Sequence, residues 1–193
     1  MANMLFAFIG PYASGKTTMV SQLMSMGINY IPTYTTNAFN RREGSRKILY
    51  RTIKKEDFKT TDYMAQSSYQ GELYGLKTQD IQAALQSRRL NIAVLQPSGI
   101  RQLTKFIKKN LVTIYLMADD VSLVDRMLHM GFTNDEIKYH LEYAEANKEF
   151  DTWKSTDFVV KNIGNPRTAL DQILSILGLT TLLPQDDFNK LVK

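Results

Sequence analysis

The sequence predicts an α/β protein in which helices cover both faces of a parallel sheet. Short apolar segments of strand length alternate along the chain with segments of helical periodicity. The first apolar segment runs directly into a glycine-rich turn. A length of 193 residues, with 44% hydrophobic and 22% charged residues, is typical of a single globular domain that buries a sizeable core.

The strands are predicted from short apolar runs. Residues 4–9 are almost wholly apolar and end at Gly10, as expected for a central strand covered on both faces. Further strands are predicted at 28–34, 91–95, 112–117 and 158–160. Helical spacing of apolar residues predicts helices at 17–26, 78–87, 100–109, 121–130, 134–150 and 166–177.

The segment from 35 to 59 is polar and strongly basic, so we expect it to lie outside the core. Between 56 and 74 the pattern predicts one small helix and then a hairpin that ends at the glycines of 71–75. Asp119 and Asp120 precede the predicted helix at 121, and we expect them to cap it rather than to bind a metal ion.

Composition and charge narrow the possible functions. Cysteine is absent, which excludes disulfides, cysteine–zinc sites, iron–sulfur clusters and cysteine nucleophiles and favours a reducing, cytoplasmic location. No stretch approaches the ~20 apolar residues that span a bilayer, and no signal-peptide pattern opens the chain. The net charge of +5 suits an anionic partner: nucleic acid, a membrane surface or a small phosphorylated ligand. Lys105, Lys108 and Lys109 form a basic helix face that no aromatic stripe accompanies, so we expect a solvated face and no nucleic-acid partner. A membrane is not expected as a partner either.

The glycine-rich turn reads Gly-Pro-Tyr-Ala-Ser-Gly-Lys-Thr at 10–17 and fits the phosphate-binding pattern G-x-x-x-x-G-K-[ST]. A buried strand precedes it and a helix begins inside it, which favours a phosphate-binding loop over a glycine-rich turn with a solvated lysine. We expect Lys16 to reach the β- and γ-phosphates of a nucleotide and the Thr17 hydroxyl to bind Mg²⁺. The predicted nucleotide-binding residues are Gly10, Pro11, Tyr12, Ala13, Ser14, Gly15, Lys16, Thr17 and Thr18.

From about residue 6 to residue 177 the chain resembles the guanylate kinase family, P-loop enzymes that transfer the γ-phosphate of ATP to a nucleoside monophosphate. The landmarks, in family order, are the loop at 10–17, Thr35-Thr36 with Glu43 beyond them, Gly-Glu-Leu-Tyr-Gly at 71–75, Pro-Ser-Gly-Ile-Arg-Gln-Leu at 97–103 and the segment from Arg126 to Gly131. Each landmark is weak alone, and their shared order makes the resemblance specific.

The resemblance implies a P-loop NTPase fold, a three-layer α/β/α sandwich with a small nucleoside-monophosphate-binding lobe and a helical lid. It implies one domain over 1–193, with a core at 1–35, 77–122 and 151–178, a lobe at 36–76, a lid at 123–150 and a tail at 179–193. It further implies ATP and Mg²⁺ as cofactors, with Thr17 on the metal and a nucleotide as the small-molecule substrate. Catalytic roles fall on Lys16, Arg126 and Arg41, and acceptor binding falls on Thr36, Arg41, Arg42, Glu43, Tyr50 and Tyr74.

Several positions depart from the family pattern. Asn37 and Asn40 stand where the family has arginines, and Met130 and His140 stand where the lid has them; we expect His140 to be a surface or lid residue. The guanine-reading carboxylates are replaced by Ala65 or Gln66, Val94 and Gln96, and Leu76 replaces a Ser or Thr. GMP is the family's acceptor. Two alternatives are a kinase whose acceptor is a phosphorylated sugar, such as ribose bisphosphate, and a non-catalytic binding module.

Overall fold

The computed structural model describes residues 3–38 and 48–180. The strands are β1 (Met4–Ile9), β2 (Asn29–Tyr30), β3 (Thr33–Thr35), β4 (Tyr50–Thr52), β5 (Tyr63–Tyr69), β6 (Glu72–Lys77), β7 (Leu90–Val94), β8 (Leu111–Met117) and β9 (Phe158–Lys161). The α-helices are α1 (Lys16–Ser25), α2 (Thr78–Ser87), α3 (Pro97–Ile107), α4 (Asp120–His129), α5 (Asn134–Ala146) and α6 (Pro166–Ile176).

The core sheet is parallel and has the strand order β2-β7-β1-β8-β9. Its central strand β1 alternates between two buried clusters, because successive side chains of a strand point to opposite faces. Phe6 and Phe8 pack in one cluster with α1 and α6, and Leu5 and Ala7 pack in the other with α2 and α3. The predicted three-layer α/β/α architecture is therefore confirmed.

A second, mixed sheet has the order β4-β3-β6-β5. The strand predicted at 28–34 is wrong as a single element: β2 joins the core sheet and β3 joins the second one. Pro32 lies between them and has no backbone N–H to continue a ladder. The predicted hairpin is confirmed as β5 and β6, with Gln70 and Gly71 both at positive φ in its two-residue turn. Two short 3₁₀ turns, at Lys55–Asp57 and Thr60–Asp62, replace the small helix predicted near 56.

Helices α4 and α5 form a pair joined through Gly131, and both begin at side-chain caps. The Asp119 carboxylate accepts a hydrogen bond from the Ser122 backbone N–H at 2.8 Å, which confirms the predicted cap and lowers the pKa of Asp119. Thr133 and Glu136 form a reciprocal capping box at the start of α5. Helix α5 ends at Ala146, and a 3₁₀ segment at Glu149–Ser155 follows where the prediction extended the helix to 150. Within the described ranges, none of the helices is long and apolar enough to cross a bilayer.

Candidate active site

The loop at 10–17 lies where β1 ends and α1 begins. Lys16, the first residue of α1, donates hydrogen bonds from Nζ to the carbonyl oxygens of Gly10 at 2.6 Å and Pro11 at 2.7 Å. These bonds hold the ammonium group inside the curve of the loop. The first N–H groups of a helix have no intrahelical partners, so the start of α1 adds donors and partial positive charge at the same place.

A cavity of about 360 Å³ lies between this loop and α4. Gly15, Lys16, Thr17 and Thr18 line it on the loop side, and Arg126 and Met130 line it on the side of α4. Arg126 donates to the carbonyl oxygens of Ala13 at 3.1 Å and Asn162 at 2.6 Å, so its guanidinium is fixed against the loop. The loop, the predicted metal-binding threonine and the predicted lid arginine thus meet in one cavity.

Asn162 is a residue of this cavity that sequence reasoning missed. It follows β9, is only 3% exposed, and donates from Nδ2 to the carbonyl oxygen of Ser14 at 2.8 Å. A side chain at Gly15, which has φ 99°, would collide with that amide, so this position requires glycine. The Asn162 Oδ1 atom is buried with no hydrogen-bond partner among the described residues. Its position at the carboxyl end of a parallel strand was the available signal, because ligands bind at that edge of α/β sheets.

A second, narrower cavity of about 40 Å³ lies between the loop and the second sheet. Lys16, Tyr50 and Tyr74 all line it, so the structure brings these three predicted residues together. The rings of Tyr50 and Tyr74 meet edge to face at 5.8 Å, and Asn37 donates from Nδ2 to the Tyr74 hydroxyl at 3.0 Å. Lys16 and Tyr50 line the larger cavity too, so the two cavities adjoin at these side chains.

The other predicted acceptor residues do not join this cluster in the described part of the chain. The Thr36 hydroxyl is hydrogen-bonded to the Glu72 carboxylate and accepts from the Leu73 backbone N–H at 3.0 Å, and Thr36 is not among the residues that line the cavity. Its contacts tie β3 to the hairpin. Arg41, Arg42 and Glu43, together with Asn40, lie outside the described residues.

Two amide side chains, those of Gln66 and Gln96, also line the narrow cavity. Ala65 is fully buried in the core cluster with Leu76, so only Gln66 of these two candidates lines the cavity; its reading of a base stays a prediction. The side chain of Gln102 on α3 makes two hydrogen bonds with the Gln66 backbone. Its Oε1 accepts from the Gln66 N–H at 3.0 Å, and its Nε2 donates to the Gln66 carbonyl oxygen at 2.8 Å. Val94 and Gln96, at and beyond the end of β7, line the same cavity.

Glu149 is a buried carboxylate that sequence reasoning also missed. It is 5% exposed, lines the narrow cavity with Lys16, and its backbone carbonyl accepts from the Tyr115 hydroxyl at 3.1 Å. Burial raises the pKa of Glu149, and the nearby positive charge of Lys16 opposes that rise. Among the described residues that line the two cavities, Glu149 is the only carboxylate. Nothing in its local sequence marks it, because tertiary packing brings it to the loop.

His140 joins the pair of helices to both the loop and the hairpin. Its ring stacks on Tyr12 of the loop, with centroids 4.2 Å apart and planes at 21°, and its Nδ1 is hydrogen-bonded to the Tyr69 hydroxyl at 3.0 Å. The prediction of a surface position is wrong, since His140 is 7% exposed; that its helix belongs to a lid stays a prediction. Tyr143 packs edge to face on Tyr69 at 4.6 Å. These contacts hold α5 against the loop and the hairpin. The narrow cavity, at about 40 Å³, has room for little more than a water molecule in this structure.

The fold and the loop define this chain as a P-loop protein with the architecture of small kinases. No protein-family model matches it. It is 21% identical over 165 residues to the guanylate kinase of Agrobacterium fabrum, an alignment that covers 83% of this chain and 75% of the relative.

Solved structures agree on the fold. The guanylate kinase of Anaplasma phagocytophilum superposes with a TM-score of 0.69 at 16% identity, over 92% of this chain and 85% of the other. A shikimate kinase from Acinetobacter baumannii, solved with shikimate, superposes with a TM-score of 0.50 at 11% identity, over 93% and 96% of the two chains. The chain is therefore a guanylate-kinase-like P-loop protein, and the resemblance predicted from its sequence is confirmed.

Proposed function

We propose that this protein transfers the γ-phosphoryl group of ATP to a nucleoside monophosphate. The observation that carries the proposal is the position of Lys16, whose side chain lines both the cavity under the loop and the cavity against the second sheet. A donor phosphate in one cavity and an acceptor phosphate in the other would meet at this ammonium group. The name of the Agrobacterium relative makes GMP the first acceptor to test.

The donor side of the site fits a nucleoside triphosphate with Mg²⁺. Residues 10–18 would hold the phosphates through backbone N–H groups, and Lys16 would exchange its bonds with the loop carbonyls for bonds with phosphate oxygens. Thr17 lines the cavity and would give its hydroxyl to Mg²⁺, which neutralises developing charge during transfer. No cluster of three or more acidic or histidine side chains occurs in the described part of the chain, so the other metal ligands would be phosphate and water.

The acceptor side depends on phenols. Tyr50 and Tyr74 would donate hydrogen bonds to the acceptor phosphate, and Asn37, bonded to Tyr74, would orient one of them. Arg41 and Arg42 would add positive charge. The acceptor phosphate is itself the nucleophile near neutral pH, so no general base is needed.

Arg126 and the helices at 123–150 would act as the lid. Arg126 lines the donor cavity beside Lys16 and would stabilise charge on the phosphoryl group in flight. Closure of α5 through His140 would exclude water, which otherwise competes for the phosphoryl group. The core at 1–35, 77–122 and 151–178 would stay rigid while the lobe at 36–76 and the lid move.

A coupled assay of ADP release tests the proposal. Purified protein with ATP and Mg²⁺ is supplied with GMP, AMP, CMP, UMP, and ribose bisphosphate as a phosphorylated sugar. We expect turnover that depends on a nucleoside monophosphate, that Lys16→Ala abolishes, and that Lys105→Ala, which removes an exposed lysine of α3, leaves unchanged.

The other outcomes assign the alternatives. Turnover with the phosphorylated sugar alone would make the chain a sugar-phosphate kinase. Nucleotide binding by calorimetry without turnover on any acceptor would make it a non-catalytic module. Either result rejects the proposal.

A further inference from the structure

Two carboxamides line the narrow cavity, and they carry an inference about the acceptor's base. We propose that Gln66 and Gln96 read the base, and that the site accepts any base presenting one donor beside one acceptor instead of selecting guanine. The inference rests on the proposed function, since it concerns the acceptor of that reaction.

Both amides are available to a ligand. The Gln66 and Gln96 side chains make no hydrogen bond with any residue in the described ranges, although each backbone is held in place. Gln96 occupies the N-cap position of α3 without capping it, a place where Ser, Thr, Asp or Asn normally bonds the first turn. Neither amide is therefore committed to structure.

Apart from Glu149, the described residues that line the cavity supply no carboxylate. Val94 is apolar, and Ser67 offers one hydroxyl. Glu149, the one carboxylate among the described lining residues, lies close enough to Lys16 for the ammonium charge to oppose the rise of its pKa. Glu149 therefore lies near the ammonium group that is proposed to bind the phosphates. The amides of Gln66 and Gln96 are the lining groups that this proposal assigns to the base.

The chemistry of an amide differs from that of a carboxylate in one decisive respect. A carboxylate only accepts hydrogen bonds, so it pairs with the two adjacent donors of guanine, N1–H and the N2 amino group. A carboxamide offers one donor and one acceptor side by side. It can form two hydrogen bonds with adenine at N6 and N1, with cytosine at N4 and N3, and with uracil or thymine at O4 and N3.

Guanine would bond an amide through O6 and N1–H, which leaves its amino group without an acceptor from that side chain. Because a half-turn of the amide exchanges donor and acceptor, the same side chain serves bases of either polarity. An unpaired buried donor is costly, so guanine loses the advantage that a carboxylate would give it. Relaxed base selection is the direct consequence.

The test is kcat/KM for GMP, AMP, CMP and UMP, measured with the parent protein, with Gln66→Glu and Gln96→Glu, and with Gln82→Glu as a control. Gln82 is exposed on α2, so the control introduces the same charge outside the site. For the parent we expect the four values to fall within roughly tenfold of one another. Either site variant should raise the GMP-to-UMP ratio by about tenfold or more, the range expected for a new hydrogen bond to a charged group, and the control should not.

The outcomes separate this inference from the proposed function. A parent enzyme that prefers GMP by about a hundredfold or more overturns the inference and leaves the kinase intact. Unchanged ratios in both folded site variants overturn it as well, with thermal unfolding used to confirm that each variant is folded. Absence of turnover with every nucleoside monophosphate rejects the proposed function instead.

Discussion

Replacement of His140 by alanine should open the proposed lid, because this one side chain connects α5 to the loop at 10–17 and to the hairpin. Its ring stacks on Tyr12 of the phosphate-binding loop and bonds the hydroxyl of Tyr69 on the hairpin. The backbone of α5 would keep its own hydrogen bonds and its capping box. The substitution therefore removes the contacts across the site while leaving the helix that carries them.

The magnitude is worked from two of the interactions that alanine cannot make, the stacking on Tyr12 and the hydrogen bond with Tyr69. A stacked aromatic pair contributes about 0.5–1.5 kcal/mol beyond its buried area, and a hydrogen bond contributes about 0.5–1.5 kcal/mol net. Their sum, about 1–3 kcal/mol, corresponds to a change of roughly 5–150-fold in the equilibrium between the closed and the open positions of α5, in favour of the open one. Tyr69→Phe removes only the hydroxyl and keeps the ring contacts, so it should produce about half of that free-energy change.

The absence of cysteine makes the measurement clean, since two introduced thiols would be the only labelling sites. Lys138→Cys on α5 and Ser68→Cys on β5 are both exposed and lie on the two elements that separate. Fluorescence energy transfer between labels at these positions reports the closed fraction. Glu145→Ala, an exposed change on the same helix, is the control. If His140→Ala is as closed as its parent, the reasoning about this contact is refuted.

Three further changes probe the site and the lobe. Arg126→Ala should lower kcat, measured by steady-state kinetics, more than it lowers the affinity for ATP, measured by calorimetry. Equal losses of kcat and of affinity would instead indicate that Arg126 acts in binding. Glu149→Gln should raise the free energy of unfolding at pH 8 but not at pH 4. Burial raises the pKa of this carboxyl above its usual 4.5, so its charged form, present at pH 8, opposes folding. A difference in urea unfolding that does not depend on pH contradicts this. Gly75→Ala should lower the free energy of unfolding by about 1–3 kcal/mol, because its Cβ would lie 2.5 Å from the Tyr63 ring. An unchanged free energy of unfolding would show that the ring can move.

Local patterns were enough to predict the core of the fold. The run of Leu5, Phe6, Ala7 and Phe8 is apolar throughout, and the structure divides these residues between the two faces of the sheet. The loop at 10–17 was equally predictable, because its glycines, lysine and threonine act within one turn of chain. In both cases the determining residues are neighbours in sequence.

Residues positioned by tertiary packing could not be predicted in this way. Glu149 reaches the loop only because the segment after α5 folds back beneath it, where Tyr115 bonds its carbonyl. The sequence around His140 does not distinguish an exposed position on a helix from a buried position in contact with Tyr12. The break at Pro32 likewise depends on which strands are available to pair, since β3 leaves the core sheet to pair with β6.

The assignment at 65 and 66 turns on strand register. From sequence alone either Ala65 or Gln66 could occupy the base-reading position, and a shift of one residue in a strand moves each side chain to the opposite face. Of the two, only Gln66 lines the cavity, because Ala65 packs against Leu76 in the core. The glutamine offers a donor and an acceptor together, so the proposed reading of the base by Gln66 has to be tested by measuring base preference on this chain.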